Sequence, residues 1–142
     1  MKKIVIFLCL FIGDFLFAGE AHDLATELHY SESYQNGIQT AKKEHKLMML
    51  IVVEDGCHWC KKFKRTTLSD EDVKKDLQKV IKVLVDRYAD MPDKYESQFF
   101  PMVYFIDPQT QNVLVTSYGY KTKEGFTQAL QKAKKKFNNL EQ

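Results

Sequence analysis

The sequence predicts an α/β fold with a central mixed sheet flanked by helices, and three observations carry that prediction. Leu47 to Val53 is an uninterrupted apolar run bounded by charge, the pattern of a strand buried on both faces. Met102 to Ile106 and Val113 to Tyr118 flank the turn sequence Asp107-Pro108-Gln109-Thr110-Gln111-Asn112, which reads as an antiparallel hairpin. Phe126, Ala129, Leu130, Ala133 and Phe137 recur at i, i+3, i+4, i+7 and i+11, one apolar face of a closing helix.

The elements follow in chain order. Met1-Lys2-Lys3 is a basic start, Ile4 to Ile12 an apolar run, and Phe15 to Ala18 completes it after Gly13-Asp14. This is the layout of an export signal over residues 1–18, with cleavage near residues 18–21. An uncleaved anchor is the weaker reading, because Ile4 to Ala18 is short of the roughly 20 apolar residues a spanning helix needs and contains Asp14. Export predicts a periplasmic or secreted protein. Residues 19–33 read as an N-terminal arm, the polar, aperiodic stretch His22 to Ser33 being a loop or short arm, and residues 34–142 as one domain. In that domain Tyr34 to Lys46 reads as a helix whose start Asn36-Gly37 weakens. Ser69 before Asp70-Glu71-Asp72 reads as the N-cap of a helix to about Lys79. Val80 to Asp86 reads as a strand, Pro92 to Ser97 as a short polar segment, and Thr122 as the cap of the last helix, Lys123 to about Asn138.

Composition narrows the function classes. The chain has 142 residues, 44% hydrophobic and 28% charged, with a formal net charge of +2. These values suit one globular domain. Lys+Arg 21 against Asp+Glu 19 gives no nucleic-acid footprint, which shows as a basic stripe or a strongly basic total. There are three cysteines. Cys9 lies in the apolar run and leaves with the signal; Cys57 and Cys60 remain, a close pair able to form a disulfide in an oxidising compartment.

Cys57-His58-Trp59-Cys60 follows the apolar strand and opens the basic stretch Lys61-Lys62-Phe63-Lys64-Arg65, which reads as a solvated helix face. At a strand-to-helix junction the two sulfurs can reach bonding distance. Cys57, at the helix start, meets unpaired N–H groups that favour its thiolate. The thiolate attacks a disulfide and Cys60 resolves the product. His58 can stabilise that thiolate, and Trp59 can offer an aromatic contact to a substrate. Three rivals stand beside redox chemistry. Zinc wants four ligands, and His22, His29, His45 and His58 form no H-x₃₋₅-H pair. Covalent haem attachment needs a histidine where Lys61 stands. A structural disulfide closing so short a loop constrains little of the unfolded chain.

On these residues the chain resembles the thioredoxin superfamily over residues 34–138, its small exported branch above all. The resemblance rests on the buried strand Leu47–Val53, the C-x-x-C opening a helix, and Phe100-Pro101-Met102-Val103-Tyr104-Phe105 at the family's cis-proline loop. Cys60 and Pro101 stand 41 residues apart, the spacing of an uninterrupted core. It implies a thioredoxin-like fold and thiol–disulfide exchange between Cys57–Cys60 and protein thiols or disulfides. Phe100, before Pro101, would pair with an extended substrate strand. The family's buried aspartate six residues before the first cysteine is Ile51 here, while Lys82 matches its accompanying lysine. Glu54 is a candidate substitute base, and Met102 stands where a threonine often follows the proline.

The compact core leans toward reductase rather than dedicated oxidase. By the same resemblance, apocytochrome c is one target class, a membrane electron donor is expected, and the chain is expected to act as a monomer without cofactor or metal. The alternative is a non-catalytic thioredoxin-like module for binding or for carrying a soft metal.

Overall fold

The computed structural model of the protein describes residues 19–141. The predicted signal at 1–18, with Cys9, lies outside the described residues. Four strands form one mixed sheet: β1 (Met48–Val53), β2 (Ile81–Asp86), β3 (Met102–Ile106) and β4 (Val113–Tyr118), in the order β2-β1-β3-β4. β1 runs parallel to β2, with Met48 opposite Ile81 and Val53 opposite Asp86, and antiparallel to β3. β3 and β4 close the sheet as the predicted hairpin, with a register irregularity between Phe105 and Ile106.

All six residues of β1 are buried, because both faces of the sheet are covered, and side chains alternate between them. Met49, Ile51 and Val53 face one core with helices α1 (Glu20–Leu28), α3 (His58–Phe63), α4 (Glu71–Asp76) and α5 (Lys123–Leu140). Met48, Leu50 and Val52 face the other, under α2 (Tyr34–Glu44) and Tyr95. Helix α2 sits close on the sheet: a Cβ on Gly37 would lie 2.2 Å from Cγ2 of Val83. The glycine that weakens the helix as a sequence is what lets it approach.

Three expectations need correction. The arm at residues 19–33 is not a loop. Glu20–Leu28 is helical, and Ala21, Leu24 and Ala25 enter the core, an i, i+3, i+4 stripe whose alanines make it inconspicuous. Ser31 then forms a parallel bridge to Val83, and Leu28 and Tyr30 pack against the same core. Second, the cap of α4 is Asp70, whose side chain accepts from Asp72 and Val73 N–H; Ser69 ends a π-helical turn, Lys64–Leu68. Helix α4 also stops at Asp76, short of Lys79, because Leu77 and Val80 are both buried and a turn between them, closed by Val80 N–H on Leu77 C=O, directs the chain into β2. Third, the basic stretch after Cys60 is not merely solvated. Lys61 pairs with Glu20 and Lys64 with Glu27, while Lys62 lies over the rings of Trp59 and Tyr120.

Candidate active site

The carboxyl end of β1 delivers the chain into the turn Glu54–Cys57, where Cys57 N–H donates to Glu54 C=O at 3.2 Å. Gly56 has φ +75°, a left-handed conformation open to glycine at little cost. The turn leaves Cys57 as N-cap of α3, and its Sγ accepts the Cys60 N–H at 3.1 Å. Cys57 and Cys60 are joined in a disulfide, with Cα atoms 5.3 Å apart. The two sulfurs differ in setting. Cys57 is half-buried at the mouth of a cleft of about 590 Å³, whereas Cys60 is 2% exposed within the core.

The cleft brings together most of the predicted site. Glu54, Cys57, His58, Trp59 and Phe100 line it, and Pro101 follows Phe100 through a cis peptide. Trp59 is 50% exposed, tilted over Tyr120 with centroids 5.6 Å apart, and His58 meets its edge at 5.4 Å. Glu54 is held elsewhere than at the cysteines: its Oε1 accepts from Arg87 Nη1 at 2.5 Å. That contact holds the Arg87 guanidinium above its ordinary pKa.

Lys82 lies outside the cleft. Its Nζ donates to Leu77 C=O at 3.5 Å, in a smaller cavity shared with Tyr30 and Ser69. Burial, with Lys46 nearby, lowers its pKa. Ile51 is fully buried between Leu84 of β2 and Val103 of β3. The position behind the cysteines is therefore apolar, and Met102 is buried as well.

Sequence reasoning missed four groups. Arg87 stacks its guanidinium 5.0 Å from the Phe100 ring while it holds Glu54, linking the two loops that frame the cleft. Tyr120 backs Trp59, and Phe99, 69% exposed, extends the aromatic wall. Glu20 reaches the Cys57 turn from α1. Arg87, Tyr120 and Glu20 have no local signal, since each acts on a residue more than ten positions away.

A mixed sheet whose central strand feeds a bonded C-x-x-C pair, faced by the loop before β3, defines the thioredoxin-like class of fold. The chain belongs to the thioredoxin-like domain family, whose match spans residues 34–134. Among solved structures it is similar to a thioredoxin from Thermus thermophilus, with TM-score 0.68 and 17% identity over 80% of this chain and 92% of that one. A DsbH oxidoreductase aligns with TM-score 0.58 and 20% identity over 72% and 82%. The oxidised DsbD C-terminal domain of Neisseria meningitidis aligns with TM-score 0.54 and 16% identity over 69% and 94%. At these identities the likeness is one of fold. A search of curated proteins found no match. Within this family, a paired C-x-x-C on the domain supports thiol–disulfide exchange.

Proposed function

We propose that this protein is an exported thiol–disulfide oxidoreductase that works as a reductase in the periplasm, with residues 1–18 as its export signal and the rest as one domain. The observation that carries the reading is the unequal pair: Cys57 at the cleft mouth and Cys60 buried behind it. An accessible nucleophile and a sheltered resolving thiol are what ordered exchange requires.

In the reduced protein, Cys57 thiolate attacks one sulfur of a substrate disulfide. A Cys57–substrate bond forms, the substrate S–S bond breaks, and the released thiolate takes up a proton. Cys60 then loses its proton and attacks Cys57 Sγ. The Cys57–Cys60 disulfide forms and the second substrate thiol leaves, so two electrons and two protons have passed to the substrate. The Cys60 N–H that meets Cys57 Sγ at 3.1 Å supports the thiolate in the resting reduced form. Trp59 and Phe100 supply contacts for the substrate chain, Phe100 through its backbone. Glu54 is engaged by Arg87, which favours water as the acceptor of the Cys60 proton. Oxidised protein thiols, apocytochrome c among them, are the substrates, and a membrane donor restores the dithiol.

Reduction of insulin in the presence of dithiothreitol tests this. Cys57→Ser abolishes turnover, and Cys60→Ser accumulates a mixed disulfide with substrate. A reduction potential near about −270 mV supports the reductase direction, and one near about −120 mV overturns it in favour of an oxidant. A tightly bound metal on unreactive cysteines would replace the enzyme with a carrier.

A further inference from the structure

Helix α1 lies outside the matched family segment, yet it is fastened to the turn that presents Cys57. Its N-cap, Gly19, offers no side-chain cap. The cap comes from across the molecule: Glu20 N–H donates to Asp55 Oδ1 at 3.0 Å. In return Gly56 N–H donates to Glu20 Oε2 at 2.9 Å. The same Oε2 lies 3.3 Å from Lys61 Nζ, and Lys61 follows Cys60 directly, its N–H donating to Cys57 C=O at 3.2 Å. The Glu20 side chain is 15% exposed. Its other oxygen, Oε1, is buried and meets no donor among the described residues. A neutral amide could brace Gly56 without the cost of burying a carboxylate. What a glutamate adds is charge.

We infer that Glu20 is a positioning residue for the proposed exchange reaction: it fixes the Asp55–Gly56 turn and neutralises Lys61, and so sets how readily Cys57 ionises. The inference rests on the oxidoreductase reading above. The other charged groups around the turn are already committed, Glu54 to Arg87, Asp55 to the α1 terminus and Lys62 to the faces of Trp59 and Tyr120, while His58 lines the cleft. Lys61 is thus the cation whose field Glu20 controls. Without the carboxylate, Lys61 favours the thiolate, the Cys57 pKa falls, the dithiol form gains on the disulfide, and the protein becomes more oxidising.

The full chain decides the matter through two measurements, equilibrium with glutathione and the pH dependence of Cys57 alkylation. Glu20→Gln keeps an acceptor for Gly56 and removes the charge. It shifts the dithiol-to-disulfide ratio about threefold to tenfold toward dithiol, tenfold being about 30 mV for a two-electron couple. Lys61→Met, at a 57% exposed side chain, shifts it the opposite way, and the double variant returns close to wild type. Both shifts shrink in about 1 M salt, where screening is short-ranged. Glu27→Gln, which removes the neighbouring Glu27–Lys64 pair of the same helix, leaves the ratio unchanged.

A lowered melting temperature in Glu20→Gln with unaltered ratio and alkylation profile would make Glu20 a brace only and overturn the inference. Should Glu20→Gln fail to fold, Lys61→Met decides alone, an unaltered ratio overturning it. If wild type itself shows no exchange and its Cys57 alkylates like an ordinary thiol, the oxidoreductase reading falls instead.

Discussion

The two cysteines of one short motif are held by different physics. On the Cys57 side the backbone turn is fastened by polar contacts: Glu54 to Arg87, Gly56 to Glu20, Asp55 to the start of α1. On the Cys60 side the chain enters a dry core, where Phe63 is 1% exposed and packs against Phe126 and Tyr120. Charged and polar contacts near the surface are weak one by one and are screened by salt, whereas apolar packing is strong and is not screened. The difference separates tasks. The side that reacts can be tuned by charge without loosening the fold, and the side that anchors can be rigid without blocking access to sulfur.

Breaking the anchoring side has the largest effect. Phe63→Ala empties a buried aromatic site and costs about 3–5 kcal/mol, read as a shift of the urea midpoint. The reactive side behaves otherwise. Trp59→Ala, at a half-exposed ring, leaves the midpoint close to wild type but raises KM for protein disulfides about tenfold, the loss of one aromatic anchor, with kcat little changed. A Trp59 variant that unfolds early, or a Phe63 variant that does not, would erase the contrast.

The smallest effect belongs to Asp70, behind the anchoring side. It caps α4 and pairs with Lys123 Nζ at 3.0 Å. The hydrogen bond from Lys123 is the main cause holding its carboxyl below the ordinary 3.8, helped by the Val73 and Asp72 N–H groups. With the folded-state pKa lowered, the contribution is fully present above 3.8 and disappears as pH falls through the lower folded value. Asp70→Ala lowers the melting temperature at neutral pH by about 3–5 °C, and that deficit shrinks in acid as the charge-linked part is lost. A deficit independent of pH would separate the cap from the ion pair.

Much of this was legible because it is written locally. The run at 47–53, the hairpin around Asp107-Pro108, the face of α5 and the C-x-x-C junction each depend on neighbours in sequence. Helix α1 was not legible. Its apolar stripe is small, its cap comes from Asp55, and the partners of its acids, Lys61 and Lys64, follow the cysteines in sequence. Glu54 shows the same limit: as a sequence it is a free acid three residues before Cys57, and only the fold brings Arg87 to it.

The sequence by itself determined the buried strand at 47–53, the hairpin, the closing helix and the reactive pair, because hydrophobic period and helix-start chemistry act over a few residues. Only the tertiary structure decided which charges surround that pair. A carboxylate and a cation 41 residues apart, Glu20 and Lys61, meet at 3.3 Å only when the packing of α1 on the core has already fixed where each side chain begins.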